Sequence, residues 1–116
     1  MNIMLANILI IDDNLDNIQV AMNILKEDHY NLSFATQGQE ALDIIQQASE
    51  HFDLILLDIM MPGIDGFEVC RRIRDIPQTS SVPVIFLTAK ADIDSITEGF
   101  SLGAVDYISK PFQAEE

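Results

Sequence analysis

A chain of 116 residues suffices for one packed domain and is too short for two, so residues 1–116 are expected to form a single domain. With 48% hydrophobic residues it can bury a core, and its formal charge of −13 sets it against the phosphate backbones of DNA and RNA. Direct nucleic-acid binding is therefore not expected; most carboxylates read as a solvated face, and the natural partners of so acidic a protein are basic surfaces and metal cations.

At the N-terminus, Met1-Asn2-Ile3-Met4 lacks the basic region of a signal peptide, and nowhere does an apolar run approach the roughly 20 residues of a membrane span. The first apolar run, Ile8-Leu9-Ile10-Ile11, predicts a strand. Residues 15–27 then place Ile18, Ala21, Met22 and Leu25 on one helical face, with Asn14 as cap. The second run is Leu32-Ser33-Phe34-Ala35. Residues 38–49 follow with Ala41, Leu42, Ile45 and Ala48 together, and Thr36 and Gln39 have capping-box spacing. His29 and His51 adjoin turn-forming segments without a partner at ligand spacing and read as surface residues. The third run is Leu54-Ile55-Leu56-Leu57. Residues 66–75 group Phe67, Cys70 and Ile73, behind Asp65 and Glu68 at the same capping-box spacing. Cys70 is the only cysteine, so no internal disulfide can form; it reads as a small core hydrophobe, which fits a reducing cytoplasm. After the fourth run, Val82-Pro83-Val84-Ile85-Phe86-Leu87, a thinner stripe of Ile93, Ile96 and Phe100 predicts a helix over 92–102, closed by Gly103. The fifth run is Val105-Asp106-Tyr107-Ile108.

Strands and helices that alternate in this way pair in parallel with right-handed crossovers. The expected fold is α/β, a doubly wound five-stranded parallel sheet of order 2-1-3-4-5. A fifth helix should follow the last strand, yet the chain stops at Gln113-Ala114-Glu115-Glu116, where that helix would begin. The expectation is a sheet with its last helix missing, from a protein that continues or has been shortened. Its bare apolar face would be covered by a second copy, as a homodimer or swapped dimer.

In open α/β sheets, ligands bind at the carboxyl ends of the strands where strand order reverses. The first strand ends in Asp12-Asp13, the third in Asp58 and the fourth in Thr88, and Lys110 follows the fifth. Alone, each has a plain explanation: an Asp at a strand end is usually a turn or cap residue, Lys110 a surface lysine, Thr88 a strand former. Together they converge on one edge. Three carboxylates in one crevice repel and need a compensating charge, from a divalent cation held by oxygen ligands or from the Lys110 ammonium. A carboxylate beside such charges is a competent nucleophile towards phosphorus, and the Thr88 hydroxyl can donate to a phosphoryl oxygen.

At these residues the chain resembles the receiver domain of two-component response regulators. The pieces are Ile-Leu-Ile-Ile-Asp12-Asp13-Asn, Leu-Ile-Leu-Leu-Asp58-Ile-Met-Met-Pro62-Gly63-Ile-Asp-Gly66, Pro83-Val-Ile-Phe-Leu-Thr88-Ala89 and Gly103-Ala-Val-Asp-Tyr107-Ile-Ser-Lys110-Pro111-Phe112. All occur in order and span about Asn7 to Phe112. The resemblance implies a flavodoxin-like sheet, and it implies that Asp58 takes a phosphoryl group from a histidine kinase or histidine phosphotransfer protein. It implies that Asp13, Asp58 and the backbone carbonyl of Met60 bind magnesium, with manganese as the alternative, and that Asp12 acts through metal-bound water. Lys110 and Thr88 would hold the phosphoryl group, and Tyr107 would turn inward and switch the surface of the fourth helix and fifth strand. The Lys110–Pro111 bond would be cis. Pro62, Gly63 and Gly66 would serve backbone geometry, and Met60 and Lys90 would tune access of water to the acyl phosphate.

Such a module is not a multiple-turnover enzyme. A phosphatase with an aspartyl nucleophile is the first competitor, but it usually carries a second acid two residues after the nucleophile, where this chain has Met60. A flavodoxin-like binding module is the second, but a flavin phosphate needs a Ser, Thr and Gly-rich loop where this chain has Asp12-Asp13-Asn14.

Overall fold

The structure, a computed structural model, describes residues 6–25, 30–47, 51–88 and 106–109, with the side chains of Thr88 and of residues 106–109 left aside. Five strands form one sheet: β1 (Asn7–Ile11), β2 (Asn31–Ala35), β3 (Leu54–Asp58), β4 (Val84–Thr88) and β5 (Asp106–Ser109). Every pairing is parallel and the order is β2-β1-β3-β4-β5, as the alternation of runs predicts. Among the described residues three helices lie between them, α1 (Leu15–Leu25), α2 (Gly38–Gln47) and α3 (Gly66–Asp75), with a short 3-10 turn at Pro77–Thr79.

The alternation of side chains along each strand feeds two cores. On one face Leu9, Ile11, Ile55, Leu57, Val84 and Phe86 meet Ala41, Leu42 and Ile45 of α2 and Val69, Cys70 and Ile73 of α3. On the other, Ile8, Ile10, Leu56 and Leu87 meet Ile18 and Ala21 of α1. Each fully buried Leu or Ile stabilises the fold by roughly 1.5–3 kcal/mol. Phe67 of α3 adds an edge-on contact to Phe86, with ring centroids 5.3 Å apart. None of the described helices is long and apolar enough to cross a membrane.

The caps follow the sequence in part. Asn14 caps α1, its Oδ1 accepting from the N–H groups of Asp16 at 2.8 Å and Asn17 at 3.3 Å. Asp65 caps α3, accepting from the Glu68 N–H at 2.9 Å. The Glu68 carboxylate does not return the bond; it pairs with Arg71 and, at 2.9 Å, with Arg72, whose hydrogen bond draws its pKa below the usual carboxylate value. At α2 the Thr36–Gln39 box is not formed. The helix begins at Gly38, with the Ala41 N–H on the Gln37 carbonyl, so the residue facing Thr36 is Glu40. Glu40 Oε1 accepts from the Thr36 N–H at 2.9 Å and its hydroxyl at 3.3 Å, while Gln39 bonds Asp43.

The fourth strand is shorter than its apolar run, because Pro83 has no N–H for the ladder. Its carbonyl accepts from the Ile55 N–H at 3.0 Å and pairing proper starts at Val84. Ala48, the helix over 92–102, Gly103 and Val105 lie outside the described residues, as do the last residues of the first two predicted helices and the expected end of the chain.

Candidate functional site

β1 and β3 are neighbours although β2 lies between them in sequence, so the order reverses there and a crevice opens beyond their carboxyl ends. Asp12 and Asp13 leave β1 on one side of it, and Asp58 ends β3 on the other. Each of the three offers a carboxylate oxygen, and these oxygens lie within 4.8 Å of one another. Asp12 is fully buried, Asp58 is 3% exposed and Asp13 faces solvent.

The backbone explains why they converge. The Asp12 N–H donates to the Ala35 carbonyl at 3.1 Å, which continues the β1–β2 ladder one residue beyond the strand. Asp12 Oδ1 then accepts from the Asn14 N–H at 2.9 Å, so the chain turns at once into α1. This Asx-type turn is the local role that an aspartate at a strand end commonly takes. Across the crevice the Ile59 N–H donates to the Leu87 carbonyl at 3.2 Å, and Asp58 Oδ1 receives a long contact from the Met60 N–H at 3.4 Å. Met60 itself is exposed, and Gly63 takes φ +80°, the left-handed turn that its lack of a side chain permits.

Two carboxylates at this separation repel by about 3–4 kcal/mol at an effective dielectric of ~20, and less where one is solvated. A group of acceptor-only oxygens held against that repulsion suits a hard divalent cation. It contains no thiolate or imidazole to favour zinc or copper. The residues therefore fit an oxygen-liganded ion, with Asp12, Asp13 and Asp58 as its acidic side.

The remaining predicted site residues are placed to different extents. Thr88 closes β4, in register with Ser109, and Tyr107 lies on β5 opposite Phe86. Lys90, Lys110 and Pro111 lie outside the described residues, and with them the cis bond expected at Lys110–Pro111. His51 is exposed, as expected of a surface residue, and Cys70 is fully buried in the core.

Known proteins of this architecture carry the same arrangement of chain. Over 112 residues the sequence is 41% identical to the response regulator ArlR of Staphylococcus haemolyticus, covering 97% of this chain and 49% of that protein. It is 45% identical over 106 residues to a probable cyclic di-GMP phosphodiesterase of Vibrio cholerae, of which it covers 23%. The chain thus spans about half or less of the length of these curated relatives. Among solved structures, the chemotaxis protein CheY4 of Vibrio cholerae superposes with a TM-score of 0.89 at 32% identity, over 97% of this chain and 92% of that one. A putative response regulator from Chloroflexus aurantiacus gives 0.88 at 35%, over 97% and 90%. The sequence model of the response regulator receiver domain matches residues 8–116, and the chain belongs to that family.

Proposed function

We propose that residues 1–116 form one phosphoryl-accepting signalling domain and that Asp58 is the acceptor. The observation that carries this is the burial of Asp58 at a strand end beside Asp12 and Asp13, in a receiver-domain chain. An Asp58 carboxylate oxygen attacks the phosphorus of a phosphohistidine on a histidine kinase or phosphotransfer protein. The phosphorus–nitrogen bond breaks, the imidazole leaves, and an acyl phosphate remains on Asp58. Asp13, Asp58 and the Met60 carbonyl would hold magnesium, or manganese in its place, with Asp12 acting through water. The ion supplies positive charge for the phosphoryl oxygens.

The chain's own part is to hold the nucleophile at the crevice and to limit water around it. The Thr88 hydroxyl and Lys110 ammonium are assigned to the phosphoryl oxygens, and Tyr107 to the switch that carries the change to the surface of the fourth helix and β5. Hydrolysis of the acyl phosphate restores the carboxylate, and on this reading the domain acts as a receiver rather than as a multiple-turnover enzyme. A cytoplasmic location accompanies such a partner.

With magnesium and acetyl phosphate, the chain is expected to gain the mass of one phosphoryl group, and Asp58→Asn is expected to gain none. An unmodified wild type, with no spectral response to beryllium fluoride, would sink this reading.

A further inference from the structure

The loop that follows Asp58 returns to its own starting point. From Ile59 the chain passes Met60 and Pro62, turns at Gly63, and enters α3 at Gly66, whose N–H donates to the Ile59 carbonyl at 2.8 Å. The Asp58–Ile59 peptide is therefore held from two sides. The Leu87 carbonyl takes the Ile59 N–H on the β4 side, and the first residue of α3 lies against it on the other. A Cβ at Gly66 would sit 2.7 Å from the Ile59 Cα and 3.0 Å from the Asp58 carbonyl carbon. Both are backbone atoms, so no side chain can swing away to make room. Gly38 differs: a Cβ there would meet the Ile64 and Val69 side chains, each at 2.6 Å.

We infer that Gly66 is a positioning residue for the metal and phosphoryl site: its missing side chain lets α3 bear on the Asp58–Ile59 peptide and so fixes the Asp58 carboxylate relative to the Met60 carbonyl. This rests on the reading of Asp58 given above, since the two proposed metal ligands flank that peptide. The alternative to moving the peptide is moving α3. That helix is anchored by Val69, Cys70 and Ile73, all fully buried, and by its Asp65 cap, so the peptide is the softer element. Magnesium demands near-ideal octahedral geometry, whereas calcium tolerates irregular sites. A backbone shift of several tenths of an ångström should therefore discriminate between the two ions.

The test is the affinity of wild type and Gly66→Ala for magnesium and for calcium, measured by calorimetry on folded protein. Gly66→Ala is expected to lose about ten- to hundredfold in magnesium affinity and clearly less in calcium affinity, with a matching fall in phosphorylation rate by acetyl phosphate. Equal losses for both ions would mean that the residue serves stability alone, and wild-type affinity would mean that it serves neither; either result overturns the inference. If Gly66→Ala does not fold, the wild type decides. On titration with magnesium, the Gly66 amide resonance should move together with those of Ile59 and Met60, and a stationary Gly66 resonance refutes the coupling. A wild type that binds no magnesium overturns the functional reading itself, and this inference with it.

Discussion

Asp53 and Asp58 stand at opposite ends of the same strand and do opposite things. Asp53, exposed just before β3, accepts from the Asn7 N–H at 2.8 Å through its side chain, and its own N–H donates to the Asn7 carbonyl at 2.7 Å. The Asn7 side chain completes this clamp with a bond to the His51 carbonyl at 3.0 Å. The amino end of the sheet thus uses an aspartate to fasten β1 to the chain entering β3. At the carboxyl end Asp58 is buried with the carboxylates of Asp12 and Asp13 beside it, a grouping suited to a cation. Four residues of strand, Leu54 to Leu57, separate a carboxylate that fastens the fold from one that belongs to the candidate site.

The largest test of this contrast is metal-linked stability. Magnesium at a hundredfold its dissociation constant should stabilise the wild type by about 2.7 kcal/mol in urea melts. Asp58→Asn should lose most of that gain. A variant that keeps the full gain would show that Asp58 is not a ligand of the ion. A smaller effect belongs to the clamp. Asp53→Ala should cost about 1 kcal/mol and leave phosphorylation by acetyl phosphate unchanged. A clear loss of phosphorylation there would break the division between the two ends.

The smallest effect concerns the core that both ends share. Burial pushes the Cys70 thiol above its ordinary value of 9.0. In the unfolded chain the thiol ionises near that value, whereas in the folded protein it stays protonated. This contribution is therefore complete below pH 9.0 and declines as pH rises from there towards the folded value. Cys70→Ala should flatten the alkaline limb of a stability-against-pH curve. An unchanged limb would assign it to other groups.

The order of the sheet and the three carboxylates of the crevice were both legible in the sequence. Ile8-Leu9-Ile10-Ile11, like the third and fourth runs, is almost continuously apolar and predicts a strand covered on both faces, and five short apolar runs between helical stripes leave few topologies. The strand-end aspartates could then be placed at one edge by counting. Details that depend on where a helix begins were not legible. The Thr36 box closes on Glu40 rather than Gln39 because α2 starts at Gly38, and Val82-Pro83 stays out of β4 because Pro83 has no N–H to give.

By itself, then, the sequence determined the class of fold and the set of carboxylates that meet, because hydrophobic period and strand-end chemistry are local properties that survive in a one-dimensional pattern, and its motifs carried the resemblance to the family. Only the tertiary structure decided that Asp12 and Asp58 are buried while Asp13 is not, that Glu68 turns to the arginines instead of closing its box, and that Gly66 lies against the Asp58–Ile59 peptide. These depend on distances between segments set by packing, where displacements of less than an ångström decide which contact forms.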